Sequence, residues 1–228
     1  MTYVKKSHTK RYLAIILAII LIGAVAAAAY VVLSAPQVTV GVQVGDTFTY
    51  SIKGIVQLTG LEATPSPGFE QYNQTDYYKV VVTNVNGTSV TLDTTWRFLN
   101  GTEINKQQTI DIANGNKTDE YGFWALYPAN LKTGDLLRPK GYDGKTVNNT
   151  YSAVWSSGNR TSNFWFINGQ FQDTNDPTGS TLMYDYLYIY FDQKTGMMTG
   201  MQNYRYYNNP ERSENTIYTL TNSSVWQV

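Results

Sequence analysis

Residues 76–115 read DYYKVVVTNVNGTSVTLDTTWRFLNGTEINKQQTIDIANG, and Asn-Gly punctuates the stretch at Asn86-Gly87, Asn100-Gly101 and Asn114-Gly115, 14 residues apart. Asn-Gly suits a two-residue hairpin turn because both central positions take positive φ. About 12 residues lie between turns, roughly 40 Å of extended chain at 3.3 Å per residue. The spacing predicts antiparallel strands over residues 76–85, 88–99 and 102–112. Strands of that length belong to a large twisted or curled sheet rather than a small sandwich.

The strand signal continues in both directions. Upstream, Val38, Val40, Val42 and Val44 alternate strictly, Gly45-Asp46 marks a turn, and Phe48, Tyr50 and Ile52 then share one face. Downstream, residues 119–131 (DEYGFWALYPANL) break into an aromatic-rich irregular stretch or short helix suited to capping one end of the sheet. Strands resume over residues 146–156, 160–167, 181–191, 197–207 and 216–226, with a fourth Asn-Gly at Asn168-Gly169. Helical periodicity is almost absent beyond the N-terminus. The expected fold is all-β: one large curved antiparallel meander, a half-barrel or open barrel, preceded by an N-terminal transmembrane helix.

That helix is read from residues 12–33, YLAIILAIILIGAVAAAAYVVL, 22 residues without a charge. At 1.5 Å per residue they span about 33 Å, enough for a bilayer core. Lys5, Lys6, Lys10 and Arg11 precede them and the next base is Lys53. The positive-inside rule therefore puts the N-terminus in the cytoplasm. Two alternatives stay open: a signal peptide cleaved near Ala26–Ala29, and a pilin-type assembly helix. The expected organisation is a basic cytoplasmic stub (1–11), a transmembrane signal anchor in the cell membrane (12–33), a stem (34–37) and one extracellular β domain (38–228).

Composition narrows the chemistry. The chain has no cysteine and one histidine, His8, ahead of the apolar run. This excludes disulfides, thiolate metal sites, Cys nucleophiles and Ser-His triads in the β domain. The 17 bases and 17 acids balance, yet setting the four N-terminal bases aside leaves 13 against 17. A mildly acidic domain is a poor match for nucleic acid, and none is expected as a partner. No glycine-rich phosphate loop or nucleophile elbow occurs. The carboxylates Asp185, Asp192 and Glu211 are nominal candidates for glycoside hydrolysis, but nothing in the sequence sets two of them at a working separation. An enzyme is not expected, nor is a cofactor.

Binding is the better expectation. In residues 184–191, YDYLYIYF, Tyr184, Tyr186, Tyr188 and Tyr190 alternate with apolar residues and so share one strand face. The returning strand adds Met198, Tyr204 and Tyr206 to the tyrosine side. These seven residues are the candidate lining of an aromatic groove for a lipid or isoprenoid chain, or for sugar rings. Simple packing of strand-favouring tyrosines is the plainer reading. Seven Asn-x-Ser/Thr sequons, at Asn73, Asn86, Asn100, Asn116, Asn148, Asn159 and Asn222, mark candidate glycosylation sites on an outward-facing domain. In the loop 173–179, Asp173, Asn175 and Asp176 offer oxygens to a calcium ion, but the EF-hand spacing is missing and an ordinary polar loop explains them.

With the N-terminal apolar run, VGDTFTYSIKG (44–54), ANLKTGD (129–135), YFDQKTG (190–196) and the terminal NSSVW (222–226), the chain resembles a group of uncharacterised archaeal membrane-anchored surface proteins. That resemblance spans nearly the whole chain and implies no established activity. The strand ending in Asp-x-x-Thr-Gly (192–196) and returning as a hairpin is also similar to the LolA/LppX-like lipid carriers, implying a half-barrel that holds lipid. Those proteins pack helices on their sheet, whereas this sequence has no good amphipathic helix. The expected function is a membrane-anchored extracellular binding domain for a lipid or glycan. The alternative is a structural or adhesive cell-surface protein, pilin-like or envelope-associated, that works through envelope protein partners.

Overall fold

The computed structural model describes residues 17, 19–25, 38–120, 122–170 and 182–228. The chain divides into two units, Met1–Gln37 and Val38–Val228. In the first, residues 17 and 19–25 are helical. Among the described residues no helix is long and apolar enough to cross a membrane. The rest of the expected span 12–33 lies outside the described residues, as do Asp173, Asn175 and Asp176.

Among the described residues, 38–228 carry nine antiparallel strands: β1 (Thr47–Leu58), β2 (Thr75–Asn86), β3 (Ser89–Phe98), β4 (Glu103–Asp111), β5 (Asn149–Trp155), β6 (Gly158–Gln170), β7 (Leu182–Asp192), β8 (Met198–Asn208) and β9 (Glu211–Ser223). They form one open sheet in the order β4-β3-β2-β1-β9-β8-β7-β6-β5. All-β is therefore right, but a single meander is not. Two meanders, β1–β4 and β5–β9, are joined where the first strand pairs with the last, from Phe48↔Ser223 to Leu58↔Arg212.

Local chemistry explains most of the turns. Gly87 and Gly101 take φ of 58° and 84° and close the β2–β3 and β3–β4 hairpins, but Asn86 and Asn100 do not share the expected positive φ: Asn86 pairs with Ser89, which makes the first loop Gly87-Thr88, and the second runs from Leu99 to Gly101. Asn114-Gly115 also turns, but the chain returns only for one bridge, Ile110↔Lys117, and then leaves the sheet. Asn168-Gly169 is no turn: it lies inside β6, opposite Tyr186 and Asp185 of β7. The residues 38–44 form no strand despite their alternating valines. Val42 is buried, and Gln43 N–H donates to Asp46 Oδ2 at 2.7 Å to set the turn into β1.

One face of the sheet carries the core. Phe48, Val80, Val90, Leu92, Ile110 and Ile189 are 0 % exposed, each contributing about 1.5–3 kcal/mol by leaving water. Their cover is the irregular segment 112–148, which inserts Phe123, Leu126, Tyr127 and Leu137 against them. Tyr127 packs 4.5 Å from the Phe191 ring, centroid to centroid, and 6.1 Å from Trp165.

An irregular layer must satisfy its backbone elsewhere. Asn163 Nδ2 and Gln193 Nε2 both donate to Leu131 O, at 2.8 and 2.7 Å. Arg138, 7 % exposed, donates to Leu126 O (2.6 Å), Ile112 O (3.1 Å) and Trp124 O (3.1 Å), its guanidinium 4.6 Å from the Tyr127 ring centroid. Burial lowers its affinity for the proton, while Tyr127, Asp143 and Asp111 act the other way. At the β7–β8 turn a Cβ on Gly196 (φ 74°) would lie 1.9 Å from Tyr127 O, so only glycine lets the cover approach.

The same turn holds a buried ionic knot. Asp192, 2 % exposed, accepts Arg160 Nε and Nη2 at 2.8 and 2.9 Å, and Thr195 N and Oγ1 at 2.8 and 2.9 Å. Arg160 in turn lies 4.3 Å over the Trp226 ring, tying β6, the turn and the C-terminal residues together.

Candidate functional site

Away from the core, the same sheet face opens into a cavity of about 670 Å³. Its floor comes from three strands whose register orders the side chains in rows. The outermost row is Asp185–Arg205–Glu214, the next Leu187–Asn203–Thr216, and the innermost Ile189–Met201–Tyr218. Charged, polar and apolar rows therefore succeed one another toward the core.

The walls are aromatic. A 3-10 helix, Phe69–Gln74, begins after Gly68 (φ 81°) and lies on β1 at Gly54. A Cβ at Gly54 would meet the Phe69 ring at 2.9 Å, so the missing side chain makes the seat for the helix. Gly54 N also donates to Asn73 Oδ1 at 3.0 Å. This seating brings Tyr72 into a stack with Trp96 of β3, 5.9 Å between centroids and 22° between planes. Trp96 Nε1 donates to Thr75 Oγ1 at 2.8 Å, which fixes the indole. Phe123 and Trp124 of the covering segment line the cavity too. Phe123 reaches Tyr78 at 6.3 Å, and Tyr78 meets Tyr218 edge-on at 6.2 Å.

Asp185, Arg205, Glu214 and Lys117, all facing the cavity, each have a protein partner. Asp185 accepts from Asn203 Nδ2, and Arg205 Nε lies 3.5 Å from its other oxygen. Glu214, 3 % exposed, accepts Ser66 N at 2.6 Å and Arg212 Nε at 3.3 Å. Lys117 Nζ donates to Glu120 O at 2.7 Å. Burial pushes the Tyr78 hydroxyl up to about 12, a hydrogen bond with Thr94 working against it, and raises Tyr218 as well, with Tyr72 and Tyr78 adding to the effect. Both phenols are protonated at neutral pH. The site thus offers ring faces beside fixed donors and acceptors.

Of the seven residues expected to line a groove, only Met198 lines this cavity. Met198 also corrects the expected register. A bulge between Tyr190 and Phe191 pairs it with Phe191, and it is buried in the core rather than set among the tyrosines. Tyr184, Tyr186, Tyr188, Tyr190, Tyr204 and Tyr206 occupy the opposite face. There Tyr184 pairs with Tyr206 and Tyr186 with Tyr204, the latter rings stacked at 6.2 Å and 12°. The ladder continues through Tyr188–Phe164, 6.3 Å apart at 8°. Tyr190 is 36 % exposed and the other five are half-buried. Burial and Glu211 raise the Tyr206 hydroxyl, which donates to Glu211 Oε1 at 3.2 Å.

All seven sequon asparagines are exposed. Among the described residues no group of three or more His, Asp or Glu is placed to hold a metal ion. The cavity residues were not anticipated, although one signal was readable: Asp185, Arg205 and Glu214 each interrupt the apolar parity of its strand on the core-facing side. The chain matches no family model, no curated protein and no solved structure.

Proposed function

We propose that this chain is a membrane-anchored, outward-facing binding protein whose β domain holds a small ligand in the cavity over β7–β9. The observation that carries this reading is the cavity itself. At about 670 Å³ it falls within the 300–1,000 Å³ common for ligand sites, and it combines ring walls with a few convergent polar groups. The anchor and its orientation rest on the uncharged run 12–33 and the bases before it. The test is native mass spectrometry of the full chain extracted from the membrane of the cells that make it. Retention of a non-covalent ligand, lost from a Trp96→Ala variant, supports the reading. A chain recovered outside the membrane fraction and free of ligand contradicts it.

One observation favours the structural or adhesive alternative. The half-exposed aromatic ladder of β6–β8 lies in a sheet with two open edges, β4 and β5, and such surfaces suit association with other proteins. That reading predicts concentration-dependent assembly in sedimentation, abolished by Tyr186→Ser and Tyr204→Ser. A monomer at every concentration counts against it.

A further inference from the structure

Resting on the cavity as the binding site, we infer that its ligand is a neutral saccharide rather than a lipid chain. Three features select this class. First, the walls carry the rings of Tyr72, Trp96 and Trp124, of which Tyr72 and Trp96 spend one face on each other, and the C–H face of a sugar packs against such rings. Second, the outer part of the floor is polar: Asp185, Arg205, Glu214 and Asn203 reach the cavity ahead of the apolar Leu187 and Met201, and a chain of methylenes entering it would have to cross them. An acyl or isoprenoid chain laid over them would strip their water and return no hydrogen bond, a costly exchange. Sugar hydroxyls donate and accept at once and so replace that water.

The third feature sets the charge. Asp185 is paired with Arg205 and Glu214 with Arg212 and the Ser66 N–H, while Lys117 and the Glu120 carboxylate, which also line the cavity, balance one another in sum. A charged ligand would bring an uncompensated charge into a site whose own charges balance. A neutral polyol uses only the remaining lone pairs and N–H groups. The Tyr78 and Tyr218 hydroxyls, held protonated, are further donors. The volume exceeds what one water cluster needs and matches a short oligosaccharide better than a single small ion.

The experiment titrates the full chain in lipid nanodiscs with maltotriose, cellotriose, mannotriose and chitotriose, then with a glucuronic-acid trisaccharide and with oleate, following tryptophan fluorescence. At least one neutral trisaccharide saturates at millimolar concentration or below, and Trp96→Ala weakens it by about tenfold or more. Tyr72→Leu serves where Trp96→Ala fails to fold, and Tyr186→Ala on the opposite face leaves the affinity unchanged. Saturation by oleate, or by the glucuronic-acid sugar alone, in a Trp96-dependent way overturns the saccharide assignment and leaves the binding reading standing. No saturation by any probe overturns both.

Discussion

Replacing Arg138 with Met removes the guanidinium but keeps most of the stem, and its consequences follow from three hydrogen bonds. In Arg138→Met the carbonyls of Ile112 and Leu126 lose their donor while staying under the cover, and Trp124 O keeps only the Leu126 N–H. A buried acceptor without a partner costs about 1–3 kcal/mol. Sparing the desolvation of a cation that has only carbonyls and a ring for company offsets part of this. The net loss is about 2–4 kcal/mol, a large share of the 5–15 kcal/mol that stabilises most domains. For a domain of this size it lowers Tm by about 4–16 °C. Urea unfolding with hydrogen exchange is the assay. The amides of Leu126, which bonds within the cover to Trp124 O, and of Tyr127, which bonds across to Gly196 O, lose protection first because the cover loosens before the sheet. Ligand affinity falls as well, since Phe123 and Trp124 belong to that cover. A loss below about 1 kcal/mol with unchanged protection refutes the assignment of Arg138 as its anchor.

Three other outcomes are expected. Gly54→Val drives a side chain into the Phe69 ring and lifts the 3-10 helix off β1; stability drops by about 1–3 kcal/mol and ligand affinity drops with it, measured by thermal melts and titration. Asp192→Asn leaves Arg160 without its carboxylate and costs about 3 kcal/mol, whereas adding Arg160→Met to it costs less than the two single changes combined, a non-additivity read from urea midpoints. Tyr50, Tyr78, Tyr127 and Tyr218 all have hydroxyls raised by burial, so below pH of about 10 folded and unfolded chains both keep these protons. Above it only the unfolded chain releases them, and stability falls by about 5 kcal/mol per pH unit for the four together, with Tyr78 ceasing to contribute to the slope near 12. Urea midpoints that stay level from pH of about 9 to 11 contradict this.

Local signals were legible where backbone chemistry acts alone. The parity of Phe48, Tyr50 and Ile52 assigned the core face of β1, and Asn86-Gly87 and Asn100-Gly101 turn because glycine accepts positive φ at no steric cost. Asn168-Gly169 carries the same dipeptide, but Phe164 and Phe166 stack on Tyr188, and the ladder holds β6 extended to Gln170. Tertiary pairing overrides turn preference there. The alternating valines 38–44 lack any neighbouring strand. The β1–β9 pair was out of reach because nothing local encodes which distant strand closes a register. For the same reason the cavity was not foreseen: its floor needs the β7–β8 and β8–β9 registers at once, and its walls need the 3-10 helix seated at Gly54. The tyrosines drew attention by being numerous on one face, whereas the site is marked by three charges breaking the apolar parity of the other.

The placement of the ligand is tested most directly by the tryptophan indole N–H resonances of the full chain during titration with the saccharide that saturates it. The five tryptophans report on different regions. Trp96 and Trp124 line the cavity, while Trp155 and Trp226 meet edge-on, 6.1 Å between centroids, outside its lining. Shifts at Trp96 and Trp124 with Trp155 and Trp226 unmoved are the predicted result. Unmoved Trp96 and Trp124 under saturating ligand, with changes instead among the tyrosines of β7 and β8, would contradict it.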